Sequence, residues 1–187
     1  MNLVVFASGD GSTLQTIIDH IHRKQLNVNI SLVVSNNKNA YALKRAKENG
    51  IDTYLIHSTK KEAIDQELIE KLSNYQIDMI LLAGYLKLIG PKLIQNYTII
   101  NTHPSLLPAY GGKGMYGMNV HKAVIENQEE YSGVTLHYVD ENYDEGSIIK
   151  QTSVKLAKDE TPDTLARKVQ NIEKIQLIEM LRSEGKK

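Results

Sequence analysis

The first twenty-one residues constrain the fold more than any other stretch of the chain. Asn2-Leu3-Val4-Val5-Phe6-Ala7 is an apolar run that stops at Ser8-Gly9-Asp10-Gly11-Ser12-Thr13, and apolar residues then return at Leu14, Ile17, Ile18 and Ile21. That spacing puts them on one face of a helix, so the segment reads as strand, glycine turn and helix in direct succession. The unit recurs. Ile30-Ser31-Leu32-Val33-Val34 gives a second strand before a helical stretch from Ala40 to Asn49, which Gly50 is placed to end in a left-handed conformation. Thr53-Tyr54-Leu55-Ile56 gives a third strand, and Thr59 with Glu62 three residues on fits a capping box ahead of Ala63, Ile64, Leu68, Ile69 and Leu72. Ile77 to Ala83 is the continuous apolar run expected of a strand buried on both faces, and Thr98 to Asn101 is a shorter one. Strands alternating with helices predict a parallel sheet.

Past Asn101 the texture changes. The segment from Pro104 to Gly117 holds two prolines and four glycines, which fits no regular element and reads as a long working loop. His121 to Glu126 suits a helix. Gly133 to Val139 and Ser147 to Gln151 alternate around the acidic turn Asp140 to Gly146, which predicts two antiparallel strands. Thr161-Pro162 marks the start of a last helix, whose apolar side is Leu165, Val169, Ile172 and Leu181. At roughly 150 residues per domain, a chain of 187 residues without linker or repeat suggests one domain over 1–187. The expected fold is α/β and Rossmann-like, with a mostly parallel sheet and antiparallel C-terminal strands.

Composition narrows the function. Twenty-two basic and 22 acidic residues cancel, and no lysine or arginine block is long enough to track a phosphate backbone, so nucleic acid is not expected as a partner. The absence of cysteine removes disulfides, thiolate metal sites and cysteine nucleophiles, and with the charged start of the chain it points to a cytoplasmic protein. Apolar stretches such as Met79 to Ala83 fall far short of the roughly 20 residues a membrane helix needs. A neutral chain meets little long-range repulsion on self-association, which leaves monomer and homodimer equally open.

Three segments carry chemistry. In the first glycine turn, successive N–H groups and a helix N-terminus can face one anion, so a phosphate would fit. It is not a Walker loop, which needs a lysine before its Ser/Thr, and Leu14 stands where a dinucleotide loop has its third glycine. A tight turn without a ligand is the alternative, and the position directly after the first strand favours the phosphate. The second segment, Asn101-Thr102-His103-Pro104-Ser105-Leu106-Leu107-Pro108, ends a strand with two prolines stiffening the exit, and holds an amide and an imidazole in a loop position where ligands bind. The third, Asp140-Glu141-Asn142-Tyr143-Asp144-Glu145-Gly146, is by itself most simply a solvated turn. His103, His121, His137 and Asp144 are conceivable metal ligands, but no recognised ligand spacing links them, and no metal is expected.

Together with Leu82-Ala83-Gly84-Tyr85-Leu86-Lys87, these motifs, in this order, resemble the folate-dependent formyltransferases over nearly the whole chain. The Asn101–Pro108 motif is shared by relatives with different acceptors. Those acting on tRNA carry a further C-terminal domain and the hydrolases an N-terminal one, so the chain length favours the branch that formylates glycinamide ribonucleotide (GAR). The resemblance implies 10-formyltetrahydrofolate as formyl donor and GAR as acceptor, with Asn101, His103 and Asp144 catalytic. It implies that Gly11, Ser12 and Thr13 hold the substrate's phosphate, with Gln170, Asn171, Ile172 and Glu173 near its glycinamide. Lys61 would approach the folate tail. Leu86, Lys87, Leu88 and Ile89, with Asn101 and the turn Asp140, Glu141, Asn142, Tyr143 and Asp144, would receive the donor. Thr13 stands where many relatives have asparagine, and Lys87 where several have arginine. The glycine-rich run Ala109 to Gly117 is longer than in many relatives and is expected to be a mobile lid.

Overall fold

In a computed structural model that describes residues 1–186, seven strands form one sheet in the order β3-β2-β1-β4-β5-β6-β7. In chain order the elements are β1 (Asn2–Phe6), α1 (Ser12–His22), β2 (Asn29–Ser35), α2 (Tyr41–Glu48), β3 (Thr53–Leu55), α3 (Lys61–Leu72), β4 (Met79–Leu82), α4 (Pro91–Asn96), β5 (Ile99–His103), α5 (Met118–Glu126), β6 (Tyr131–Tyr138), β7 (Ile148–Lys155) and α6 (Pro162–Glu184). β1 pairs in parallel with β2 and β4, and β2 with β3, whereas β6 and β7 are antiparallel. The expected α/β architecture is the one observed. The chain divides into two compact units, Met1–Ile100 with the chain end from Met180, and Asn101–Glu179, the divisions falling inside β5 and inside α6.

The first unit is built on strands with no wet face. Leu3, Val4, Val5, Phe6, Leu32, Val33, Val34, Ile80 and Leu81 are all fully buried, as runs without polar alternation require, and Leu14, Ile17, Leu68 and Leu72 join them from α1 and α3. Each such side chain contributes roughly 1.5–3 kcal/mol. At the end of α2, Gly50 takes φ 68° as its position predicted. The N–H groups of Gly50 and Ile51 donate back to the carbonyls of Lys47 and Ala46, a Schellman closure. The expected capping box does not form. α3 begins at Lys61 with Lys60 as its N-cap and no side-chain cap, so Thr59 and Glu62 lie one residue out of register with the helix start.

In the second unit β6 is buried along Ser132–His137, while the edge strand β7 is largely exposed. Val120, Val124, Val134, Leu165 and Val169 form its core, with Tyr110, Met115 and Ile172 packed against them. The predicted antiparallel pair is present and longer than expected. Buried Thr135 ties the segment after β5 to β6: its hydroxyl accepts from the Leu107 N–H at 3.0 Å and donates to the Ser105 carbonyl at 2.7 Å. Gln151 of β7 donates to the Leu107 carbonyl at 2.8 Å.

Candidate active site

Each unit holds a group of the residues singled out by the sequence. In the first, the chain leaves β1 through Ser8, whose hydroxyl donates to Asn36 Oδ1 at 2.5 Å and accepts from the Leu86 N–H at 3.0 Å. The loop then turns at Gly11, which sits at φ 75° as the N-cap of α1 with no side-chain cap. Only glycine serves there. A Cβ at Gly11 would lie 2.7 Å from Cα and Cβ of Ala42, because α2 presses on the loop, its Ala42 N–H donating to the Gly9 carbonyl at 3.2 Å. The loop therefore has one shape, with the first turn of α1, Ser12 and Thr13, at its end.

A cavity of about 410 Å³ in the same unit is lined by Lys61, Lys87, Leu88 and Ile89, together with Ser58 and Tyr85. Four of the residues assigned to the donor thus share one pocket, while Leu86 stands outside its lining and is 55% exposed. Burial pushes the Tyr85 phenol upward, so it stays a neutral donor at any physiological pH. The loop on the pocket's rim is held by Glu67 of α3, whose carboxylate accepts from the N–H groups of His57 and Ser58 and from the Tyr54 hydroxyl, each at 2.8 Å. Burial works to raise the Glu67 pKa, but these hydrogen bonds outweigh it and hold the carboxyl down at about 2.

The second unit brings Asn101, His103 and Asp144 into one hydrogen-bonded group. His103 is buried and Asp144 partly so, their side chains 4% and 11% exposed, with Nδ1 3.5 Å from Oδ2. The His103 Nε2–H donates to the Tyr110 carbonyl at 2.8 Å, which leaves Nδ1 as the nitrogen facing the carboxylate. Asp144 itself sits at φ 59°, a conformation aspartate tolerates better than most residues, and its Oδ2 accepts from the Gly112 N–H at 2.9 Å. The glycine-rich loop is therefore tied to both groups at its start, by Tyr110 and by Gly112.

His137 belongs to this group, although the sequence suggested only a conceivable metal role for it. Its Nδ1–H donates to the Tyr138 carbonyl at 2.8 Å, and its Nε2 lies 3.1 Å from the Asn101 amide nitrogen. Burial pushes the His137 pKa down, against smaller upward pulls from the Tyr138 carbonyl and Asp144. The neutral ring then offers Nε2 as an acceptor and fixes which way the Asn101 amide faces. The second amide hydrogen points toward Asp144 Oδ1 at 3.5 Å, the outer limit of a hydrogen bond.

The other assigned residues are spread over the second unit. Glu173 on α6 accepts from the Thr102 hydroxyl at 3.1 Å. Ile172 packs against the core, and Gln170 and Asn171 are exposed. In the acidic turn Asp140 accepts from the Asn142 N–H at 3.0 Å, while Glu141, Asn142 and Tyr143 face solvent. Among the described residues no cluster of three His, Asp or Glu side chains is disposed to hold a metal ion, and no helix is long and apolar enough to cross a membrane.

The sheet carries a glycine loop after β1, an amide and an imidazole at the end of β5, and a carboxylate between β6 and β7. The chain belongs to the formyl transferase family, whose model matches residues 1–181. It is similar to the chloroplastic phosphoribosylglycinamide formyltransferase of Arabidopsis thaliana, at 41% identity over 89% of this chain and 59% of that protein. It also resembles the Escherichia coli phosphoribosylglycinamide formyltransferase, at 34% identity over 92% of this chain and 82% of the relative. The chain spans under two thirds of the length of the plant relatives it matches, 59% and 56%. Among solved structures, glycinamide ribonucleotide transformylase 1 from Symbiobacterium toebii superposes with a TM-score of 0.90 at 30% identity, over 100% of this chain and 88% of that one.

Proposed function

We propose that residues 1–187 act as one cytoplasmic formyltransferase domain that moves the formyl group of 10-formyltetrahydrofolate to the amine of GAR, giving formyl-GAR and tetrahydrofolate. The observation that carries this reading is the grouping of Asn101 and Asp144 with buried His103 in a chain whose relatives bear that enzyme's name.

The chemistry follows from the donors and acceptors. The amine nitrogen attacks the formyl carbon, and the carbonyl oxygen becomes an oxyanion that must meet positioned donors. Asn101 supplies one, since the amide hydrogen held only at 3.5 Å by Asp144 can be redirected at little cost. His103, protonated on both nitrogens, supplies a second from Nε2 once that hydrogen leaves the Tyr110 carbonyl. Asp144 supports the imidazolium at Nδ1, and takes the proton shed by the attacking amine through water. Collapse of the intermediate breaks the bond to the folate nitrogen, which receives its proton from His103. The first turn of α1, at Gly11, Ser12 and Thr13, holds the ribose phosphate, and Glu173 the glycinamide amine. The pocket of Lys61, Lys87, Leu88 and Ile89 takes the folate, with Leu86 at its edge and backbone groups of Asp140 to Asp144 meeting the pterin.

The test is an absorbance assay of tetrahydrofolate release from 10-formyltetrahydrofolate, with GAR and without it. Release that depends on GAR is the expected result. Release without acceptor would make the chain a hydrolase, and release with another phosphorylated amine but not GAR would move the acceptor.

A further inference from the structure

We propose that Arg45 is a positioning residue that cancels the charge of Asp10 and so keeps the glycine loop receptive to an anionic substrate, an inference that rests on the reading of that loop as the phosphate site. A carboxylate at position 10 is electrostatically out of place. It lies one residue before Gly11, at a helix N-terminus whose dipole attracts a carboxylate as it attracts a phosphate. Left alone, Asp10 would compete with the substrate for that end of α1 or repel it.

Arg45 of α2 prevents this. Its Nε donates to the Asp10 carbonyl at 2.9 Å, and one Nη2 reaches both carboxylate oxygens, at 3.2 and 3.1 Å. The other terminal nitrogen donates to Gln15 Oε1 at 3.3 Å, and the guanidinium lies 4.7 Å over the Tyr41 ring. Exposed ion pairs are usually worth little, but this one grips main chain and side chain together and is fixed by a stacked ring. The Arg45 side chain is 22% exposed against 64% for Asp10, and most of its N–H groups are spent within the chain. That distribution makes it a support for the loop rather than a ligand of the substrate.

The experiment is steady-state kinetics with GAR varied, in the full chain, for Arg45→Gln, Asp10→Asn and the double variant, with thermal unfolding to check each fold. Arg45→Gln should raise KM for GAR roughly tenfold with kcat within about twofold, the scale of one bared charge a few ångström from a phosphate. Asp10→Asn alone should leave KM at or below the wild-type value, and the double variant should return to within about threefold of it. An unchanged KM in Arg45→Gln would overturn the proposal. So would a double variant as weak as Arg45→Gln, since the loss would then come from Arg45's own contacts. The rise in Tm given by inorganic phosphate should follow the same order among the four proteins. That readout needs no acceptor amine, so it decides the proposal even if wild type fails to use GAR, an outcome that would sink the functional reading instead.

Discussion

Asn101, His103 and Asp144 share one hydrogen-bonded group but have separate tasks under the proposed reaction, and single substitutions separate them. Asn101→Ala, His103→Ala and Asp144→Ala should each lower kcat at least about a hundredfold, the usual cost of removing a donor aimed at an oxyanion or the group that supports it. Near-normal turnover in any one would remove its role. His137 differs, because it touches Asn101 rather than the reacting atoms. His137→Phe should lower kcat about tenfold or more with little change in KM for GAR, since the amide loses the acceptor that orients it. These residues were not equally legible. An amide and an imidazole at a strand end, followed by two prolines, stand out in a sequence. Asp144 was given a catalytic role only through the family resemblance, since an acidic turn is ordinarily solvated. What turns it inward is a backbone N–H from Gly112, and no local pattern shows that bond. The pairing of His137 with Asn101 joins residues 36 apart, and depends on contacts that the alternation of one strand cannot specify.

Among the elements, α3 shows how a helix can shape its neighbours. Buried Asp65 accepts from the N–H groups of Lys92 and Leu93, at 2.9 and 3.2 Å, and so caps α4 from another helix. α4, six residues long, was not among the elements expected from the sequence, because the side chain that caps it lies 27 positions away. Glu67, two residues past Asp65, holds the connection from β3 instead. A carboxyl depressed to about 2 contributes stability that is present above the ordinary glutamate range and lost as pH falls toward 2. Glu67→Gln should therefore lower Tm at pH 7, and the gap to wild type should shrink steadily as the buffer is taken below about pH 4.5. A gap that stays constant from pH 7 to pH 3 would show that the charge plays no part. The glycine-rich loop gives a second prediction at this scale. Tyr110 and Gly112 are tied to His103 and Asp144, which confines any closing motion to the residues after them, and Lys113 is exposed. Tryptic cleavage after Lys113 should be slowed by folate and GAR together, and equal cleavage with and without them would rule out ordering on binding.

Across the whole molecule the sheet and its helices were legible because their signals are long and repeated, whereas the chain's response to acid depends on which titratable groups end up buried. His121 and His137 are 5% and 2% exposed, and burial pushes both pKa values down, His103 adding to the effect at His121. The unfolded chain protonates both near the ordinary value of about 6.5, so between that pH and the lower folded values it binds more protons than the native state. Stability therefore rises with pH in this window. As pH falls through about 6.5 the protein should lose up to about 1.4 kcal/mol per pH unit for each ring, well before Glu67 begins to titrate. His121 is the ring to change, because its buried Nδ1 has no hydrogen-bond partner among the described residues to lose. His121→Leu should match wild type within about 1 kcal/mol at pH 7.5 and lose stability less steeply on acidification, so that the two unfolding curves cross or diverge in its favour near pH 5.5. Denaturant midpoints measured at half-unit steps from pH 7.5 to pH 5 decide the matter, and parallel profiles would mean that His121 takes up its proton as readily in the native state as in the unfolded one.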